Sequence, residues 1–302
     1  LMTHVNVAVL LAAYNGSKWV KQQIDSILKQ SHVNVHIYIS VDKSDDATFE
    51  LCKAYAEQDH RLTVLDYGER FGGAGPNFYR LIRDVDFSKY DYISFSDQDD
   101  IWFENKLYTS ICNMISSNAH AYSSNIIAFW EDGRKCLIDK AQKQVKYDYL
   151  FEAAGPGCTY VLTNELCDSF KKFYLKHSDE VGKVTLHDWM IYAYARNRGF
   201  KWIIDKQPSM LYRQHANNQV GANNSIRSAA KRSKKVFDRW YAGEIIKIIV
   251  LLEMDKSSIG KHLINGGFFD NVILAFQVNK LRRRFRDRFA LFIFCLAGLI
   301  RM

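Results

Sequence analysis

One pattern constrains the fold more than any other: an apolar β-prone run, a short polar turn and a helical apolar period, in that order and repeated through the first hundred residues. Residues 5–11 form the first run, which ends in the turn Tyr14-Asn15-Gly16 and leads to Trp19, Ile24, Ile27 and Leu28 at helical spacing. Residues 35–41 form the second, and a helix is predicted over 46–58 with Phe49, Cys52 and Ala56 on one side. A third strand at 62–66, a Gly-rich turn, a helix near 77–84 and a fourth strand at 92–96 complete the series. Parallel strands need crossover connections of this length, so the pattern predicts an α/β fold whose mostly parallel sheet is covered on both faces. Ligands of such sheets sit outside the carboxyl ends of the strands.

Beyond about Asn118 the alternation weakens. Strand-like segments at 126–130 and 159–162, a helix ending near Lys176 and another after Leu186 are expected to complete the sheet and shape a second pocket. From residue 225 the texture is basic and helical, with Ile245, Ile248, Ile249 and Leu252 at helical spacing. The chain is therefore divided into a body, residues 1–224, and a basic amphipathic helical appendage, residues 225–302.

Charge follows the same division. Of the 41 basic and 33 acidic residues, 16 and 6 fall in 226–302, a balance of +10, which leaves −2 for the rest. A near-neutral body with a basic, apolar tail points to an anionic membrane surface rather than to nucleic acid. Residues 281–302 carry the signal: Arg282, Arg283, Arg284, Arg286 and Arg288 precede an apolar stretch of twelve residues, 289–300. That is too short for the roughly 20 residues of a membrane-spanning helix, so the segment is expected to lie flat on the bilayer. Contact with a second subunit in a homo-oligomer, and a helix packed on the body as plain core, are the alternatives. The first residues carry no basic secretory leader, and the six cysteines show no CxxC pair or regular framework, which predicts reduced thiols in a cytoplasmic protein.

The densest chemical signal is Ser94-Phe95-Ser96-Asp97-Gln98-Asp99-Asp100-Ile101-Trp102, carboxylates directly after a buried strand. Continuing the pleat turns Asp97 and Asp99 to the same side, toward the crevice, with no Lys or Arg close in sequence. Such a pair suits Mn²⁺ or Mg²⁺ bridging to a diphosphate. The competing reading is a solvated acidic turn in which Asp100 caps the next helix.

Ala12-Ala13-Tyr14-Asn15-Gly16, Val41-Asp42 followed by Ser44 and Asp46, and Asp97-Gln98-Asp99, each after successive strands, resemble the family 2 glycosyltransferases over about residues 5–220. The resemblance implies a GT-A fold, Rossmann-like with a mostly parallel central sheet flanked by helices. It also implies a nucleoside-diphosphate sugar donor and inversion at the anomeric carbon. Carried onto this chain, it places Ala13, Tyr14 and Asn15 around the nucleotide, has Asp42 accept from the imide N–H of a pyrimidine, puts Asp97 on ribose or metal, and makes Asp99 the principal metal ligand. Lys43 stands where the family usually has a second acid.

Inversion by direct displacement needs a separate general base near the acceptor hydroxyl. Leu186-His187-Asp188-Trp189 resembles the family's base motif, with His187 where Glu is usual, and assigns the base to Asp188, with Trp189 as a wall for the acceptor sugar or as core. The segment 212–221 is similar to the closing loop of bacterial rhamnosyl- and related O-antigen or capsule transferases. It implies that His215 completes the metal shell and that Arg213 neutralises the leaving diphosphate. Asn77, in the Gly/Asn segment 71–78, is expected at the donor, and Gly157 on the acceptor side. The expectation is thus an inverting, metal-dependent glycosyltransferase at the inner face of the cell membrane. It would move a sugar, by this resemblance L-rhamnose from dTDP-rhamnose, onto a lipid-linked or oligosaccharide acceptor of bacterial surface polysaccharide. A UDP-hexose or UDP-N-acetylhexosamine donor is the alternative, and a nucleic-acid-binding protein using the basic tail a more distant one.

Overall fold

A computed structural model describes residues 5–215 and 240–298. The chain builds a seven-stranded sheet in the order β10-β6-β9-β4-β1-β2-β3. At its centre, β1 (Asn6–Ala13) pairs in parallel with β2 (Asn34–Val41) and β4 (Tyr92–Ser96), and β2 pairs in parallel with β3 (Leu62–Val64). Strand alternation divides β1 between two cores: Ala8, Leu10 and Ala12 pack into one, Val7, Val9 and Leu11 into the other. That two-sided burial is why the run reads as continuously apolar. The helices α1 (Val20–Leu28), α2 (Thr48–Gln58) and α3 (Ala74–Asp84) make the crossovers.

The second half departs from the expected regularity. β6 (Ala121–Ser124) and β10 (Trp202–Asp205) pair in parallel at the far edge, but β9 (Val161–Thr163) inserts between β4 and β6 antiparallel to both. A smaller sheet, β5-β11-β7-β8, joins β5 (Ile101–Trp102), β7 (Ile126–Phe129), β8 (Lys135–Ile138) and β11 (Met210–Arg213). Four helices accompany these strands: α4 (Lys106–Ser116), α5 (Asn164–Lys176), the short α6 (Ser178–Val181) and α7 (His187–Asn197).

The C-terminal helices α8 (Trp240–Leu251), α9 (Ser258–Asn265), α10 (Phe268–Ala275), α11 (Val278–Leu281) and α12 (Phe285–Leu296) follow. The boundary expected at 224/225 lies outside the described residues. Within them, Ile245, Ile248, Ile249, Leu281 and Leu291 share one buried core with Phe78, Tyr149 and Trp189 of the body, so the tail packs as a continuation of the body. No helix among the described residues is long and apolar enough to cross a membrane.

Candidate active site

A cleft of about 990 Å³ opens at the carboxyl ends of β1, β2 and β4. Ala13, Tyr14, Asn15 and Asp42 line it, with Asp97 and Asp99 beyond them and Asp188 beside Gly157. The second pocket expected after residue 118 is the far end of this cleft, lined by Lys140, Arg284 and Arg286.

The acidic turn is placed by pairing on both sides. β4 carries Asp97 out of the sheet, while β5 pairs antiparallel with β11 in the register Met210 to Trp102 and Leu211 to Ile101. Two residues past β11, His215 Nε2 therefore meets Asp99 Oδ2 at 2.6 Å. The competing reading of a solvated cap fails: Asp100 is 1% exposed, its Oδ1 accepts Arg213 N–H at 3.0 Å, and α4 is preceded by Asn105. Ligand atoms of Asp97, Asp100 and Cys158 lie within 4.8 Å of one another. Burial pushes the Asp97 carboxyl up to about 7, and the charges of Asp99 and Asp188 add to it. The Asp100 carboxyl is raised for the same reasons, burial first and then Asp99 and Asp97.

A cation does stand near these acids, contrary to the expectation from sequence. Lys106 is 1% exposed; its Nζ donates to the Cys158 carbonyl at 2.9 Å and lies 3.3 Å from the centroid of the Trp102 ring. Burial pulls it down to about 7. Gln98, left unassigned by the sequence, ties the turn to the first strand end: its Oε1 accepts Tyr14 N–H at 2.8 Å and its Nε2 donates to the Tyr14 carbonyl at 2.7 Å. Trp19, read as a core position, instead lines the cleft and stacks on His215 at 4.2 Å between centroids.

At the end of the cleft beyond β2, Asp42 is almost wholly buried, and its carboxylate accepts N–H groups from Lys43 and Phe71 on Oδ1 and from Gly72 on Oδ2, at 2.7–3.0 Å. Two oxygens offer about four acceptor positions, so one on Oδ2 remains. Lys43 itself faces solvent. Asn15 has φ 46, a conformation Asn tolerates better than most residues, and its Oδ1 accepts Asp45 N–H at 2.9 Å.

Asp188 sits in the first turn of α7, where its Oδ1 accepts Trp189 N–H at 2.8 Å. Burial raises its carboxyl to about 6, against the N–H groups of the helix start that pull it down. Gly157 permits this placement: a Cβ there would come 2.9 Å from His187 Nε2 and 3.0 Å from Asp188 Cβ. Gly75 does the same for α3, since a Cβ would lie 2.5 Å from the Thr185 carbonyl oxygen. His187 stacks on Phe78 at 4.1 Å between centroids, and burial pushes it down to about 3, which keeps the imidazole neutral where a glutamate would carry charge.

Two expected contacts are relocated, and Trp189 takes the core reading of its two. Asn77 borders the cleft, but its Nδ2 donates to the carbonyls of Ala13 and Ser40 and its Oδ1 accepts from Ser40 Oγ, so the amide braces two strand ends rather than reaching for a sugar. Arg213 lies behind the acidic turn, its Nε donating to the Asp99 carbonyl at 2.8 Å and its Nη2 to Gln22 at 2.5 Å, and it does not line the cleft. Trp189 is core: it is 3% exposed, with Nε1 donating to the Tyr149 carbonyl at 2.8 Å. The basic cluster of the tail is also drawn inward. Arg282 pairs with Asp287 at 3.0 Å, and Arg283 with Asp148 and Glu152 at 3.3 Å.

Comparison with known proteins agrees with this geometry. Residues 8–152 match the model of glycosyl transferase family 2. The chain is 46% identical over 279 residues to the dTDP-rhamnosyl transferase RfbG of Shigella flexneri, covering 92% of this chain and 96% of that protein. It is 25% identical over 177 residues, 58% of this chain and 66% of the relative, to WfgD of Escherichia coli, a UDP-Glc:alpha-D-GlcNAc-diphosphoundecaprenol beta-1,3-glucosyltransferase. Among solved structures, S. aureus TarS 1-349 in complex with UDP-GlcNAc superposes with TM-score 0.54 at 12% identity, covering 98% of this chain and 88% of that one; the chain spans 53% of the longer TarS structure. The mannosyltransferase PcManGT from Pyrobaculum calidifontis, in complex with GDP-Man and Mn²⁺, gives 0.52 at 14%, covering 97% and 86%. The acidic turn at the end of the fourth strand, the GT-A architecture around it and a relative matched along nearly its whole length agree: the chain is a glycosyltransferase and belongs to glycosyl transferase family 2.

Proposed function

We propose that this enzyme transfers L-rhamnose from dTDP-rhamnose, with inversion, to a lipid-linked glycan acceptor in bacterial surface polysaccharide synthesis. The observation that carries the proposal is the convergence of Asp188 and the acidic turn on one cleft, in a chain 46% identical to a dTDP-rhamnosyl transferase. Asp188 takes the proton of the acceptor hydroxyl while that oxygen bonds to the anomeric carbon. The bond from that carbon to the diphosphate oxygen breaks, its electron pair leaves with the nucleoside diphosphate, and the configuration inverts. Ala13, Tyr14 and Asn15 border the nucleotide, and the acceptor position left on Asp42 Oδ2 receives the imide N–H of thymine.

The donor set fits a hard divalent cation: Asp99 and His215 already converge, Asp97 faces the same cleft, and the carboxylates crowd with too little positive charge beside them. Asp97, Asp99 and His215 would hold Mn²⁺ or Mg²⁺, which supplies charge neutralisation for the leaving diphosphate. Phe269, Phe276 and Phe285 stand 76–81% exposed on the C-terminal helices. They support attachment to the cytoplasmic face of the membrane, where such an acceptor resides.

Calorimetry of dTDP, UDP and GDP with Mn²⁺, followed by transfer from dTDP-rhamnose, tests the reading. Tightest binding of dTDP, with Asp188→Asn binding it equally but failing to transfer, is the expected result. Tighter UDP binding would move the donor to a UDP-hexose, and turnover retained in Asp188→Asn would remove the base.

A further inference from the structure

The far end of the cleft is cationic, and the mechanism leaves it unused. Lys140, Arg284 and Arg286 line it, and each is only weakly neutralised. Among the described residues Lys140 has no carboxylate within ion-pair distance. Arg284 reaches Asp139 Oδ2 only at 4.0 Å, and Arg286 reaches Asp287 only at 3.4 Å, with its side chain 69% exposed. Burial lowers the Lys140 ammonium and the neighbouring guanidinium of Arg284 lowers it further, while Glu152 and Asp287, which also line the cleft, offset part of this; cations still outnumber carboxylates at this end.

Its position relative to Asp188 can be traced through packing contacts. The stem of Lys140 lies against Gly155, where a Cβ would be 3.5 Å from Lys140 Cβ, and Gly157 packs against Asp188. Gly155 to Gly157 spans at most about 7 Å. Lys140 is also near enough for its charge to act on the Asp188 carboxyl, so the cationic end and Asp188 share one side of the cleft. On the outer side, Phe285 and Phe289, 81% and 62% exposed, share α12 with Arg286.

From this juxtaposition we infer that Lys140, Arg284 and Arg286 form the subsite for the diphosphate of an isoprenoid-diphosphate-linked acceptor, with the isoprenoid leaving the cleft along the exposed phenylalanines of α12. The inference rests on the glycosyl-transfer reading of the cleft. It adds a recognition element for the acceptor that is separate from the donor's diphosphate at the acidic turn. Clustered cations recognise the two adjoining phosphates by charge-assisted hydrogen bonds, and the flanking apolar face recognises the chain.

The test is binding of farnesyl diphosphate to the full chain under saturating dTDP and Mg²⁺, which occupies the donor side. The expected result is saturable binding, with farnesol binding weaker by roughly tenfold or more. Lys140→Ala combined with Arg284→Ala should weaken farnesyl diphosphate by roughly tenfold or more, while Lys140→Arg with Arg284→Lys retains it and dTDP affinity is unchanged in both. Equal affinity for farnesol, undiminished binding by the alanine variant, or loss of dTDP binding in that variant would overturn the subsite. Two further arms separate other sources of phosphate. Inorganic pyrophosphate binding as tightly as farnesyl diphosphate would reduce the subsite to a free-anion site. Phosphatidylglycerol vesicles that displace farnesyl diphosphate would make it a general headgroup patch. Absence of dTDP binding by the wild type would instead strike the glycosyl-transfer reading, and binding of farnesyl diphosphate without nucleotide would still report on the subsite.

Discussion

Charge is buried in two regions of this molecule on opposite terms. Where the tail meets the body, opposite charges are matched: Asp148, fully buried, accepts from Arg196 at 2.9 Å, Arg283 at 3.3 Å and the Tyr192 hydroxyl at 3.0 Å. In the cleft, like charges are crowded: burial and mutual repulsion raise Asp97 and Asp100, burial raises Asp188, and the cation nearby, Lys106, is itself lowered by burial. The matched set fixes where the tail sits. The crowded set is poised for a ligand, because binding a cation or taking up a proton from an acceptor relieves what folding imposed.

The largest effect expected of a single substitution breaks the matched set. Arg283→Ala leaves Asp148 buried with one partner fewer, and Glu152 loses a 3.3 Å contact at the same time. Removing one member of a buried pair costs about 3–5 kcal/mol, a large share of the roughly 5–15 kcal/mol that keeps a domain folded. Denaturant unfolding measures it; a loss below about 1 kcal/mol would show that water reaches this network and that the pairs are superficial. Deleting the chain after Asn279 would do still more damage, because Leu281 and Leu291 belong to the common core.

In the cleft the sign reverses. The folded-state pKa of Asp188 lies above its ordinary value, at about 6, so ionising it costs the folded protein stability. That cost is complete above pH about 6 and absent below about 4, where both folded and unfolded chains are protonated. Asp188→Asn should therefore be more stable than wild type by about 1–2 kcal/mol at pH 7.5, discounted for the partial solvent contact of the carboxyl, and equally stable at pH 4. With Asp188 as the proposed base, the same substitution should lower transfer by about 10²–10⁴-fold, and wild-type turnover should fall about tenfold per pH unit below 6 as its carboxylate is protonated. Unfolding curves at the two pH values together with the pH–rate profile check all three; a variant that is less stable at pH 7.5 would place Asp188 among the matched charges.

This contrast also decides what the sequence reveals. The acidic turn is contiguous, Asp97 to Asp100 directly after an apolar strand, so strand order and pleat already point it at the crevice. Asp188 is legible only through its family resemblance, since an acid at a helix start is ordinarily a cap. The matched set is illegible: Arg283 lies 131 residues from Glu152 and 135 from Asp148. Hydropathy and charge counts see its arginines only as a basic run, so the tail reads as membrane-facing where two of its guanidinium groups are buried in the body. Lys106 fails for a related reason: it belongs to α4 by sequence, and only the packing of that helix against Cys158 brings its ammonium under the acidic turn. Trp19 reads as core because it precedes the buried face of α1, and its stacking depends on His215, nearly two hundred residues away.

The smallest effect sharpens the comparison. If the crowded acids repel one another, other groups must hold the turn, and beside the Arg213 guanidinium on the Asp99 carbonyl two of them are neutral: Gln98 grips both backbone atoms of Tyr14, and Gln23 Oε1 accepts Asp100 N–H at 2.9 Å. Gln98→Ala removes two hydrogen bonds that water partly replaces at a half-exposed site, so stability should fall by only about 1 kcal/mol. The turn then loses its tie to the first strand end, and donor KM should rise by roughly fivefold, with kcat changed less because Asp188 is anchored separately through Trp189 and Gly157. Steady-state kinetics with varied donor separates the two parameters. A fall in kcat with KM unchanged would mean that the position of the acidic turn and that of the base are mechanically linked, and that the crowded charges are held as one unit instead of by independent neutral ties.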